Sequence, residues 1–140
     1  MKAEELMIDD WVQIRHPKGL PDANGIQISE IDSSGNSICF FSDIAEGELT
    51  LSLDDIAPIP ITPEILEKNG FGYIKHDGEE LTHFYPGKPQ FCRDMDLHIG
   101  TDNKGHYWLN YRANDIYGIR SVHELQHAFR LCKIEQEIIL

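Results

Sequence analysis

The chain is short of positive charge. Twelve Lys and Arg stand against 24 Asp and Glu in 140 residues, a formal net charge of −12. The deficit is concentrated in residues 1–60, which carry Lys2, Arg15 and Lys18 against twelve acidic side chains. A phosphate-binding surface needs the opposite sign, because its affinity comes from counterions displaced by Lys and Arg. Direct nucleic-acid binding is therefore not expected. Cysteine is also scarce: Cys39, Cys92 and Cys132 are odd in number, widely spaced and set among apolar residues. They read as reduced, mostly buried thiols, not as a disulfide framework or a zinc knuckle. No apolar run approaches the length of a membrane span. The start, Met1-Lys2-Ala3-Glu4-Glu5, is acidic and has no signal-peptide core. The expectation is a cytoplasmic protein without a membrane segment. P-loop, G-x-G-x-x-G and G-x-S-x-G patterns are missing too, so no nucleotide cofactor and no acyl-transfer chemistry is expected.

What is present is an ordinary globular composition, 41% hydrophobic and 9% aromatic, enough for a real core. Residues 1–61 read as short strands. Met7-Ile8-Asp9-Asp10 is turn-like and continues as Trp11-Val12-Gln13-Ile14, and residues 16–25 form a loop with two prolines and an Asn-Gly. Ile26-Gln27-Ile28-Ser29-Glu30-Ile31 alternates apolar and polar at period two and should bury one face. Ser37 to Phe41 and Leu49 to Leu53 repeat the theme. Asp54-Asp55-Ile56 suits one 3₁₀ turn, and Ala57-Pro58-Ile59-Pro60-Ile61 suits a sheet edge, where prolines are tolerated. This layout describes an acidic SH3-like small β-barrel. Trp11, Phe40 and Phe41 are candidates for an aromatic binding surface, with burial in the barrel the commoner reading of such residues. Because Phe40 and Phe41 are neighbours in a strand, they point to opposite faces.

Residues 62–140 read as helix, antiparallel sheet, helix. Thr62-Pro63-Glu64 starts a helix with an N-cap, Pro at the first position and an acid in the first turn; Asn69-Gly70 stops it, giving a helix over about 63–69. Antiparallel strands follow between residues 71 and 120, with Asp102-Asn103-Lys104-Gly105 as a hairpin turn. Tyr111 is a further candidate contact residue. A helix over about 121–133 closes the unit. The fold class is therefore α+β, with helices on one face of a sheet.

The last helix carries the one motif with chemical content, His123-Glu124-x-x-His127. Two histidines four residues apart can share one Zn²⁺, with the intervening Glu as general base on a bound water. The alternative gives Glu124 a structural role: Ser121-x-x-Glu124 is the capping-box pattern, and Val122, Leu125, Ala128, Phe129 and Cys132 form an apolar stripe. A catalytic zinc also needs a third ligand. Lys133 stands where an extended motif would place a histidine, and nothing ties His83, His98, His106, Glu135 or Glu137 to the pair. Core helix is the expectation, with no metal.

Three phrases occur in order along the chain: Glu5-Leu6-Met7-Ile8-Asp9-Asp10-Trp11-Val12, Ile56 to Phe71 (Ile-Ala-Pro-Ile-Pro-Ile-Thr-Pro-Glu-Ile-Leu-Glu-Lys-Asn-Gly-Phe), and Ser121-Val122-His123-Glu124-Leu125-Gln126-His127. Together they resemble a family of small uncharacterised proteins of gut and related bacteria and their prophage-like or other mobile elements, a family with no established activity. The resemblance implies the two-part layout and a mobile-element setting. It also implies a Val-His-x-Leu-Gln phrase in which neither Glu124 nor His127 is a fixed feature.

The leading expectation is a non-enzymatic accessory protein–protein interaction module, linked to a phage or mobile element, with an unidentified protein partner. One alternative is an acidic DNA mimic that inhibits a DNA-binding enzyme, which requires carboxylates in rows. The other is a zinc-dependent hydrolase using His123, His127 and Glu124.

Overall fold

A computed structural model describes residues 1–15, 25–75, 78, 80–87 and 97–140. Most of the expected loop over 16–25, parts of the expected strand region between residues 71 and 120 (76, 77, 79 and 88–96), and Cys92 lie outside the described residues. The chain divides into two compact units, Met1–Ile59 and Pro60–Leu140.

In the first unit, a 3₁₀ turn at Ala3–Glu5 precedes β1 (Trp11–Ile14), β2 (Ile26–Ile31), β3 (Ser37–Ser42) and β4 (Gly47–Ser52). A second 3₁₀ turn, Leu53–Asp55, then leads into β5 (Ile56–Pro58). The strands form one antiparallel sheet in the order β4-β3-β2-β1-β5. The proline-bearing strand is at an edge, where a missing N–H costs no ladder bond. Among the described residues, β4 and β5 are both edges with no ladder between them. The hydrogen bonding is that of an open sheet rather than the closed barrel expected from the strand pattern. A register shift between Ile28 and Glu30 kinks β2 against β3, the kind of bulge that increases local twist.

Period-two alternation decides which side chains go inward. Val12, Ile14, Ile26, Ile28, Ile38, Phe40 and Ile56 are buried and pack with Leu6 and Leu53. Asp10 is buried among them. Its carboxylate accepts a hydrogen bond from the Met7 N–H at 2.8 Å, and its carbonyl accepts one from the Ile28 N–H at 3.0 Å. A buried carboxylate persists only with such donors.

The second unit opens with α1 (Pro63–Lys68) and runs through β6 (Phe71–Ile74), β7 (Thr82–Pro86), β8 (Leu97–Thr101), β9 (Tyr107–Tyr111) and β10 (Asn114–Ile119) to α2 (Val122–Leu131). The five strands form an antiparallel meander in chain order. Thr62 caps α1 by accepting from the Ile65 N–H at 3.3 Å, and Gly70 takes the positive φ of 84° that ends it. One sheet face carries Phe71, Phe84, Ile99 and Leu109, all buried. The ring of Phe129 on α2 stacks on Phe71 with centroids 6.3 Å apart, so the helix stripe meets this face. The C-terminal segment is tied to Asn69, whose carbonyl accepts from Gln136 Nε2 at 3.0 Å. Asn69 donates from Nδ2 to the Ile139 carbonyl at 2.8 Å and accepts at Oδ1 from the Ile139 N–H at 2.7 Å, as a strand neighbour would. Ile138 beside it is buried.

The opposite sheet face has a tight constraint of its own. Gly100 on β8 lies in register with Trp108 on β9, and a Cβ at position 100 would come within 2.1 Å of the Trp108 ring. The indole occupies the space a side chain would take. Gly100→Ala is expected to destabilise the protein by about 1–3 kcal/mol, the usual cost of overpacking. The loss should shrink when Trp108→Ala removes the ring, a comparison that denaturant unfolding of the double-mutant cycle makes directly.

Candidate interaction surface

The motif in α2 comes first. Glu124 sits in the first turn, where its Oε2 accepts from the Ser121 N–H at 3.0 Å and from the Arg120 N–H at 2.7 Å. Ser121 and Glu124 form the capping box expected of them. Two donors at one carboxylate oxygen hold it on the helix terminus. His123 is 5% exposed, and its Nδ1 lies 3.0 Å from the Ser121 hydroxyl. His127 is half-buried, its ring edge-on to His123 at 5.8 Å between centroids. Among the described residues no group of three His, Cys, Asp or Glu could hold a metal ion. Leu131, placed by periodicity on the same face as the histidines, is exposed. The histidine face is therefore buried at its N-terminal end and open at the other.

The first unit carries a hollow on the outward face of its sheet. Trp11 on β1 is in register with Gln27 on β2, and Phe41 on β3 is in register with Glu48 on β4. These residues have the parity opposite to the core positions, so they form a row facing out. The hollow has a volume of about 310 Å³ and is lined by Asp9, Trp11, Gln27, Ser29, Phe41 and Asp43, with Gly25, Ile26 and Ile28. Phe41 is 64% exposed and Phe40 only 1%. Of the two neighbouring candidates read from the sequence, Phe40 is a core residue, because it shares strand parity with Ile38, and Phe41 holds the exposed position. Trp11 is half-buried at the rim. The Gln27 amide donates to the Asp9 carbonyl at 3.1 Å, and the Ser29 hydroxyl donates to Glu48 Oε1 at 3.1 Å, which places a third carboxylate beside the row. No Lys or Arg is among the described residues that line it.

Other carboxylates of this unit serve turns. Asp10 is buried, and Asp32 accepts from both the backbone and the hydroxyl of Ser34. The hydroxyl bond is the main cause holding the Asp32 carboxyl below the usual aspartate range.

On the second unit, the sheet face away from Phe84 bears a ribbon of rings. His83 is edge-on to His98 at 5.4 Å and to Trp108 at 6.2 Å. Tyr85 lies 5.5 Å from His98, and Tyr117, 71% exposed, lies 6.4 Å from Trp108. Asp115 accepts from Asn110 at 2.7 Å and from the Tyr117 hydroxyl at 3.1 Å. Tyr111, the other candidate, is half-buried and has the Arg112 guanidinium 5.1 Å from its ring centroid. Burial first, and the charge of His83 second, hold His98 below the ordinary histidine value of 6.5, with Asp115 pulling the other way. Sequence reasoning did not find this ribbon, since the residues are spread from 83 to 117 and only strand register brings them together. The chain matches no known family model, no curated protein and no solved structure.

Two outcomes follow from these geometries. Glu124→Ala should cost about 0.5–2 kcal/mol, as loss of a helix cap does, and the cost should be the same in zinc and in chelator when thermal melts are compared. A histidine with a depressed folded pKa binds fewer protons folded than unfolded. The His98 contribution to stability is thus complete above 6.5 and falls as pH drops below that value. An NMR titration should place the His98 midpoint below 6.5 in the native protein and move it upward in His83→Gln.

Proposed function

We propose that this protein is a non-enzymatic accessory module for protein–protein interaction, acting in the cytoplasm in the service of a phage or mobile element. Its first unit is an SH3-like recognition domain. The strand order β5-β1-β2-β3-β4, the long connection between β1 and β2, and the 3₁₀ turn before β5 all support that assignment. Fold alone does not carry function. The observation that carries the reading is the outward row holding Phe41 and Trp11 in one hollow. A large aromatic side chain left 64% exposed on a regular strand, beside a second one, is the composition of an interface anchor rather than of a solvated face. Glu124 caps its helix and His123 is buried, which favours a binding role over a hydrolytic one.

The test compares two surface variants. Phe41→Ala should leave the melting temperature close to that of the parent protein, since an exposed side chain contributes within about 0.5 kcal/mol. It should also abolish co-purification of partners from the native host, while Tyr117→Ala, on the other unit, keeps them. Equal retention by both variants would overturn the reading.

A further inference from the structure

We infer that β4 is a pairing edge for a second copy of this chain. The two β4 strands lie antiparallel about a two-fold axis at Thr50 and join the first-unit sheets of both copies into one. The inference goes beyond the interaction-module reading and stands without it.

An edge strand presents unpaired N–H and C=O groups to any second chain, and proteins blunt such edges with proline, bulges, charge or short length. Three of the edges in this protein are blunted. β5 carries Pro58, with Pro60 just beyond it. β6 is 4 residues long. β10 is broken by a register shift between Ile116 and Ile119, beside the positive φ of Gly118. β4 has none of these devices. It runs for 6 residues, Gly47–Ser52, and pairs with β3 without a break from Ser42–Gly47 to Ser37–Ser52. It holds no proline and no lysine. Among the described residues none pairs with it from its other side. Its one charge is drawn away from the edge, because Glu48 reaches back over β3 to accept from the Ser29 hydroxyl on β2 at 3.1 Å.

The side chains of β4 argue for β4 itself as the occupant. Leu49 and Leu51 pack against the core yet are only half-buried, so the core ends at this strand with apolar surface in water. With the axis at Thr50, Thr50 stands opposite its counterpart, Leu49 opposite Leu51, and Glu48 opposite Ser52. Opposite residues then share a face, as antiparallel pairing requires. The leucines of both copies continue one buried row, a favourable Thr–Thr pair sits on the outward face, and Glu48 does not meet its like. The contact uses the same patch on both chains, so it closes as a dimer. Repulsion comes from Glu46 and Asp54 in the flanking turns and from the net charge of −12, and salt screens it. Phe41 shares the outward face with Glu48, so pairing puts the Phe41 side chains of both copies on one continuous surface.

Sedimentation equilibrium of the full chain tests the contact. The mass should rise with concentration from 16.0 kDa towards twice that value, and the dimer should tighten from low to physiological salt. Thr50 is exposed, so Thr50→Lys and Thr50→Glu leave the fold in place while setting like charges face to face on the axis. Each variant should dimerise about tenfold more weakly than the parent. An equimolar mixture of the two should regain the parent affinity by pairing Lys with Glu, which also shows that both variants are folded. A parent chain that stays monomeric up to millimolar concentration would overturn the inference. Unchanged dimerisation in both variants would overturn it too, by placing the contact elsewhere, as would a mixture that associates no better than its components.

Discussion

The structure depends on a two-residue alternation imposed on short antiparallel strands whose one face must leave water. Each strand offers two sets of side chains, and the hydrophobic effect selects one of them for the core. Ile38 and Phe40 go in, so Phe41 goes out. Thr82 and Phe84 go in, so His83 and Tyr85 go out. The outward row of the first unit and the ring ribbon of the second are both by-products of that selection. Their members are fixed in place because the inward partners leave each strand only one register.

The acidic excess divides into two populations. Asp10, Asp32, Asp102 and Glu124 accept from backbone N–H groups and hold turns or helix ends. At the β8–β9 hairpin, the His106 ring and the Lys104 and His106 N–H groups hold Asp102 well below the usual range, at about 2. These carboxylates are part of the folding grammar and say little about partners. Asp9 and Asp43 line the outward hollow of the first unit together with Trp11 and Phe41.

Local motifs were legible wherever their physics is local. The Thr62 cap with Pro63, the Asn69-Gly70 stop and the Ser121–Glu124 box each involve residues within a few positions of one another, and each appears as written. The α+β class and its antiparallel strands follow from periodicities of the same short range. The His123-Glu124-x-x-His127 pattern shows the limit of such reading. Its spacing satisfies both a zinc site and a capped helix, and only the three-dimensional structure shows the Glu124 carboxylate oxygen accepting from the Arg120 and Ser121 N–H groups.

By itself the sequence determined the elements, the edge position of the proline-bearing strand, the helix caps and the concentration of negative charge in the first unit. All of these are set by neighbours along the chain or by composition. Only the tertiary structure decided that Phe41 and not Phe40 faces outward beside Trp11, that the first sheet is open in its bonding, and that rings from residues 83 to 117 share one face. Those outcomes depend on inter-strand register and on which parity is buried. Register is an energy of the whole sheet, not of any one strand.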